Sequence, residues 1–588
     1  MNLSNFLIFL INLAICWSGN GIKTYYGEIV GETITVLGEE MTEYLGIPYA
    51  QQPTYFWRFQ KPYELEKDRF NETNIFYAVH QGKGCPQHIR VMNFEGYDSL
   101  NPKETEESCL KLNMWVPKGE ENMPVIVFFH GGSWTVRTGS IDRFNGSVLA
   151  LKTKSIVVVP NFRLGFLGFA YLKGEDGIEG NMGLLDQQMV LTWINRVIES
   201  FGGDKDKVTI FGTGTGSSSV EAHLFSSSSK PLFKRGIMSS GSITHFMSTV
   251  SGDIADTNTR NVSTMVGCIS DVNDSSKSNK DIVECLRNKT ANELIEAARK
   301  VRASGQMPTP FPFMPINEDT VFFNGNIKNM YNEKMFNTDV DLMLGRTADE
   351  ATFFMATGFT NNSNMGCYFY PEKPADDPAN KCNMEKKNFE YLVQFGGKIL
   401  NFNETERTKL ETIYTGSAET YTNRSIRILS DFVFDCELSK FAITFANVSS
   451  KNTYFYEYKR RSPINLWPEW TGAMHGDDLN DIFGIPFRHP EKYKNEILQR
   501  EKDYSENVMW AIGNFTKDGS TITTWNKIDV NDPKGLIFNG ELGQEETTVQ
   551  YTVVTPSTCT EFYNLIHESI EWKKISNSIS TTPSTLPE

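Results

Sequence analysis

Gly212-Thr213-Gly214-Thr215-Gly216 has the spacing of a nucleophile elbow with no nucleophile in it. In the pattern G-x-S-x-G a strand runs into a sharp turn. The turn lifts a serine hydroxyl above an α/β sheet, where it can attack an acyl carbon. Here the apolar run Val208 to Phe211 supplies the strand, and Gly216 to Phe225 supplies the helix that follows. The flanking glycines are present, but Gly214, at the apex, has no side chain. Thr213 and Thr215 carry hydroxyls beside the apex, and Ser217, Ser218 and Ser219 follow on the helix. Side chains on either side of a sharp turn point away from its apex. A displaced nucleophile would still have to meet its base at hydrogen-bond distance. Losing the serine of such a site typically costs roughly a million-fold in turnover.

An elbow needs a sheet to stand on. Val125 to Phe129 is a short apolar run ending in His130-Gly-Gly132, as a central strand feeding a glycine turn does. Ile156 to Val159, Gly236 to Ser239 and Val340 to Leu344 read as further strands. Gly183 to Ile198 places Leu184, Leu185, Met189, Leu191, Trp193 and Ile194 among glutamines and asparagines, the pattern of a helix packed on a sheet. Helical patterns recur over Ile282 to Val301 and Thr560 to Trp572. The alternation of strand and helix predicts an α/β protein with a large, mostly parallel central sheet flanked by helices. No linker or repeat divides the chain, so one domain is expected over residues 20–575.

The flanks and composition place this domain. Phe6 to Trp17 is a short apolar run followed by Ser18 and Gly19, which predicts a signal peptide over residues 1–19. No other stretch is long and apolar enough to span a bilayer. Residues 576–588 form a polar, Ser/Thr/Pro-rich tail, expected to be disordered and without a lipid-anchor signal. A secreted, extracellular protein is the expectation. The net charge of −15 argues against nucleic acid or an anionic membrane as partner. Once Cys16 leaves with the signal, Cys85, Cys109, Cys268, Cys285, Cys367, Cys382, Cys436 and Cys559 remain, an even set suited to disulfides. Sequons at Asn71, Asn145, Asn261, Asn273, Asn288, Asn361, Asn403, Asn423, Asn447 and Asn514 predict a glycoprotein. No metal motif occurs, and no cofactor is expected. Asp477, Asp478 and Asp481 read as solvated or capping carboxylates.

Several longer motifs then carry a family resemblance. Glu107-Ser-Cys-Leu-Lys-Leu-Asn-Met-Trp-Val-Pro117, Asn181-Met-Gly-Leu-Leu-Asp-Gln187, Phe201-Gly-Gly-Asp204 and Val208-Thr-Ile-Phe-Gly212 occur in order. With Trp467-Pro-Glu-Trp-Thr-Gly-Ala-Met-His-Gly476, they resemble the type-B carboxylesterases and cholinesterases from about Tyr26 to about Trp572. The resemblance implies an α/β-hydrolase fold, with Glu350 as the acid and His475 as the base of a triad whose nucleophile position is Gly214. It implies an oxyanion hole from the backbone N–H groups of Gly132, Ser133 and Thr215. Ser133 stands where the family carries a third glycine, and Ala351 where it carries one after the acid. Leu100 occupies the place of the choline-binding tryptophan, with Tyr97 the nearest aromatic substitute. The resemblance also implies the pairs Cys85–Cys109, Cys268–Cys285 and Cys436–Cys559, which leaves Cys367 with Cys382.

The missing nucleophile makes the chain similar to neuroligins and related non-catalytic members. The expected function is a secreted, glycosylated, catalytically inactive cholinesterase-like protein that binds an extracellular protein or a small ligand. The competing expectation is an active ester hydrolase using Thr213, Thr215 or a nearby serine with His475 and Glu350. A structural matrix component is a third. The amphipathic stretch Phe562 to Trp572 fits either a homodimer contact or packing on the chain's own core.

Overall fold

The apolar runs pair into one sheet of eleven strands in the computed structural model, which describes residues 21–71, 73–301, 311–360, 362–539 and 550–569. In chain order they are β1 (Glu32–Val36), β2 (Glu39–Pro48), β3 (Lys111–Pro117), β4 (Met123–Phe129), β5 (Ile156–Pro160), β6 (Gly203–Thr213), β7 (Arg235–Ser239), β8 (Asp341–Thr347), β9 (Thr453–Tyr458), β10 (Lys534–Phe538) and β11 (Tyr551–Val553). They lie side by side in that order except that β5 sits between β3 and β4. From β5 to β10 every neighbouring pair is parallel, and the outer strands run antiparallel. The residues of β4 and β5 are buried throughout, as strands covered on both faces must be.

Alternation along each strand divides its side chains between two cores. Val125, Val127 and Phe129 of β4 enter one core with Leu191, Trp193 and Ile194 of helix α1 (Met182–Val197). Ile126 and Phe128 enter the other with Trp115, Phe144, Phe483 and Phe515. Asp186 in α1 takes both arms of the Arg163 guanidinium at 2.7 Å and the Arg163 N–H at 3.0 Å. This buried fork fastens α1 to the loop after β5.

Register decides where the strand ends fall. Phe129 pairs with Gly212, Ser239 with Thr213, and Ser239 again with Gly345. The carboxyl ends of β4, β6, β7 and β8 are therefore level. The loops that follow them gather at one rim, the usual location of sites on open α/β sheets.

Two sequence expectations change in detail. The helical pattern over Ile282 to Val301 is two helices, Asn279–Arg287 and Ala291–Lys300. Ser278 with Asp281 and Thr290 with Glu293 form capping boxes that start each one separately. The last helix runs over Ser557–Ser569 within the described residues. Its Phe562, Leu565 and Ile566 pack on Phe389, Leu410 and Tyr414 of the same chain.

Four disulfides join Cys85 to Cys109, Cys268 to Cys285, Cys367 to Cys382, and Cys436 to Cys559. The last ties the C-terminal helix to the helix Cys436–Val448. The segments read as signal and tail lie outside the described residues, as does Asn361. Of the other sequons, Asn71, Asn273, Asn288, Asn403, Asn423 and Asn447 are exposed, and Asn145, Asn261 and Asn514 are half-buried. Among the described residues no helix is long and apolar enough to cross a membrane.

Candidate functional site

Strand β6 ends at Thr213, and helix α2 (Thr215–Phe225) begins two residues later. Gly214 between them holds φ 57° and ψ −121°, a conformation that L side chains rarely adopt. Its N–H donates to Ser239 O at 2.9 Å, and its carbonyl accepts from Ser218 N–H at 3.0 Å. The flanking glycines are required by contact. A β-carbon on Gly212 would lie 2.1 Å from Gly216 O, and one on Gly216 would lie 2.0 Å from Phe129 O. The strand–turn–helix geometry of an elbow is thus complete, with glycine at its apex.

Glu350 and His475 come to this apex from distant segments. Glu350 follows β8 and is fully buried. Its carboxylate receives His475 Nδ1 at 2.6 Å, Ser240 Oγ at 2.5 Å and Thr347 N–H at 2.6 Å. Burial pushes this carboxyl up, but the neighbouring imidazole and the three hydrogen bonds outweigh it and hold the group below the usual glutamate value. The loop bearing His475 is fastened on both sides. Asp349 accepts from Ala473 N–H at 3.0 Å, Asp477 accepts from Met474 N–H at 3.1 Å, and Arg143 donates to Gly476 O at 2.7 Å. The imidazole stacks on Phe434 with centroids 4.7 Å apart. Its Nε2 points at the elbow, 2.8 Å from where a β-carbon on Gly214 would be.

The glycine turn after β4 closes the other side. A β-carbon on Gly131 would lie 2.5 Å from Thr213 O, so the turn lies directly against β6. Gly132, Ser133 and Trp134 hold φ of 123°, 55° and 63° in succession. Ser133 thus bears the glycine-like conformation that its place in the motif demands. Ala351 differs: its φ of −70° is ordinary for any residue, so nothing there requires glycine. The N–H groups of Gly132, Ser133 and Thr215 donate to no protein acceptor among the described residues. Free donors beside a strained turn are what an incoming oxygen atom would need.

Among the described residues the hydroxyls around the apex make other contacts. Thr215 Oγ1 faces Trp134 N–H at 3.4 Å. Ser217 donates to Gly241 O at 2.7 Å, Ser219 to Thr215 O at 3.0 Å, and Ser218 faces Gly214 O at 3.5 Å. Thr213 Oγ1 is sealed in the interior without a partner. Ser240, the nearest addition to the expected set, is committed to Glu350.

Asp477, Asp478 and Asp481 are buried, contrary to the reading of them as solvated. Asp477 caps the histidine loop, and burial pushes its carboxyl up to about 7. Asp478 accepts from Ser239 Oγ at 2.7 Å and Tyr456 OH at 2.9 Å, and Asp481 accepts from Tyr458 OH at 2.6 Å. Leu100 is buried in the second core, which also takes Ala473 and, at its edge, Phe353, and its N–H donates to Tyr97 O at 3.0 Å. Tyr97 lies among the site's aromatics, stacked on Phe353 at 6.4 Å, with the Arg90 guanidinium 5.7 Å over its ring. Asp431 meets Cys436 and Cys559, the only cluster of metal-ligating types among the described residues, but both sulfurs are tied in a disulfide.

An elbow after a central parallel strand, faced by a carboxylate following a later strand and a histidine on a later loop still, is the plan of the α/β-hydrolases. The chain belongs to the carboxylesterase family, whose profile matches residues 18–559. It is 30% identical to the cholinesterase of Mus musculus over 537 residues, 88% of this chain and 83% of that protein. It is 31% identical to acetylcholinesterase 4 of Caenorhabditis briggsae over 527 residues, 85% of this chain and 81% of that protein. With the acetylcholinesterase of Leptinotarsa decemlineata the identity is 29% over 549 residues, 88% of this chain and 82% of that protein.

Proposed function

We propose that this carboxylesterase-family chain is a secreted, glycosylated binding protein that holds a ligand or an extracellular partner without turning it over. The observation that carries this reading is the apex of the elbow. Gly214 offers no nucleophile, and His475 Nε2 stands 2.8 Å from the site of the absent β-carbon. In the family's chemistry that imidazole takes a proton from a serine hydroxyl. Here it has no hydroxyl to activate, while the backbone donors and the aromatic walls around it can still receive a ligand. The four disulfides and the exposed sequons support an extracellular setting. The triad roles of Glu350 and His475 are, on this reading, vestigial.

The test is turnover by the purified chain. No hydrolysis of p-nitrophenyl or thiocholine esters above an H475A control, and no covalent labelling by an organophosphate, are the expected results. Histidine-dependent hydrolysis with a label on Thr213, Thr215 or Ser217 to Ser219 would replace this reading with that of an active ester hydrolase.

A further inference from the structure

Arg137 has the makings of a ligand contact. It follows the glycine turn, and a β-carbon on Gly132 would lie 3.1 Å from its Cγ. Its backbone holds φ 89°, a left-handed value that costs a non-glycine residue roughly 1–3 kcal/mol unless its surroundings enforce it. The enforcement is visible. Arg137 N–H donates to Gln87 Oε1 at 2.6 Å, and Gln87 Nε2 donates back to Arg137 O at 2.8 Å. Gln87 is buried, so the clamp is part of the fold.

This clamp holds the guanidinium against the site. It lies 5.9 Å over the ring of Phe353, and that ring is 6.4 Å from the His475 imidazole. Arg58 and Arg163 are forked to carboxylates, and Arg143 reaches a carbonyl. Among the described residues Arg137 has no side-chain acceptor and no ion pair. The charge it feels most strongly is another cation, Arg143, with Tyr97 a weaker opposing influence. Burial first, then Arg143, lower it to about 10, so it stays protonated at neutral pH. A half-buried guanidinium with five donors and no acceptor is poised for an anion, and its planar fork matches a carboxylate. The same patch disfavours a cation. Arg90 already sits over Tyr97, and Arg137 over the adjacent Phe353.

We propose that Arg137 forms an anion subsite beside the Gly214–His475 site and that its ligand is a carboxylate on an apolar, ring-sized body, the acid group held by the guanidinium and the body by Phe353 and Phe354 beside His475. This deepens the binding reading above and rests on it.

The test titrates the whole purified chain with three probes of one shape: 1-naphthoate, neutral 1-naphthamide and cationic 1-naphthylmethylammonium. Calorimetry should show 1-naphthoate bound about ten-fold more tightly than the amide, and the ammonium weakest. The preference should shrink in about 0.5 M salt. R137Q should bring 1-naphthoate down to the amide's affinity and leave the amide unchanged, and R137K should fall between. Equal binding of 1-naphthoate and 1-naphthamide by the unaltered chain, no binding of 1-naphthoate, or unchanged 1-naphthoate binding in R137Q would each overturn the proposal. The unaltered chain decides the matter even if R137Q fails to fold. Ester turnover is measured separately, so an active hydrolase would sink the binding reading without deciding the charge preference.

Discussion

His475 Nε2 lies 2.8 Å from the position that a β-carbon on Gly214 would occupy. That is closer than a side-chain carbon normally comes to a nitrogen, so the imidazole leans into the space that a serine would fill. The lean is stabilised from behind, by Glu350 at 2.6 Å and by stacking on Phe434 at 4.7 Å.

G214S should therefore do two things. A serine at φ 57° carries backbone strain, and its β-carbon pushes the imidazole back, so stability should fall by about 1–3 kcal/mol in urea unfolding. Ester hydrolysis should appear, at least about a hundred-fold above the parent, because the oxyanion donors and the Glu350–His475 pair are in place. H475A in the G214S background should remove the gain. No gain would mean that the ring cannot retreat.

The contributions of Asp477 and Glu221 to stability should decline as pH rises from about 4 to about 8. Burial raises Asp477 to about 7 and Glu221 to about 8 in the folded chain. Their ordinary values are 3.8 and 4.5, so between those limits the folded state binds more protons than the unfolded state. Each group's contribution is complete below its ordinary value and is lost as pH rises through its folded one. D477N and E221Q should each flatten the decline, by on the order of 1 kcal/mol per pH unit. Glu350 acts oppositely: its lowered pKa stabilises the fold above about 4.5, and that contribution is lost on acidification. Thermal melts across the pH range, compared among the variants, check all three.

D186A should destabilise the chain by roughly 3–5 kcal/mol, because it leaves the Arg163 guanidinium buried without its carboxylate. D186N keeps the shape and one acceptor, so its loss should be smaller in the same denaturant series.

C559S should cost roughly 5 kcal/mol, since the bond closes a loop of 123 residues between the last helix and the helix Cys436–Val448. Limited proteolysis should then release the C-terminal segment from the variant before it does so from the parent.

Much of the site was legible in the chain because motif residues report local demands. Gly212 and Gly216 mark contacts of about 2 Å that no other residue allows. Glu350 and His475 lie in motifs that could be read without knowing their distance apart. The capping pairs Ser278–Asp281 and Thr290–Glu293 were also legible, and they would have divided the helical pattern over Ile282 to Val301. Ser240 carried no such signal, because a serine at a strand end is ordinary until Glu350 arrives beside it.

By itself, the sequence determined the alternation of strands and helices, the empty apex of the elbow and the two residues that face it. The first two follow from side-chain periodicity and from the absence of a side chain at Gly214, while Glu350 and His475 are what the resemblance to the carboxylesterase and cholinesterase motifs implies. Only the tertiary structure decided that Asp477, Asp478 and Asp481 are buried, that the imidazole leans over Gly214, and that the Arg137 guanidinium lies over Phe353 with no acceptor among the described residues. The reason is that burial and pairing are set by segments far apart in the chain. Gln87, Arg137, Phe353, Phe434 and His475 become neighbours only when the segment between β2 and β3 meets the loops after β4, β8 and later elements at one rim of the sheet.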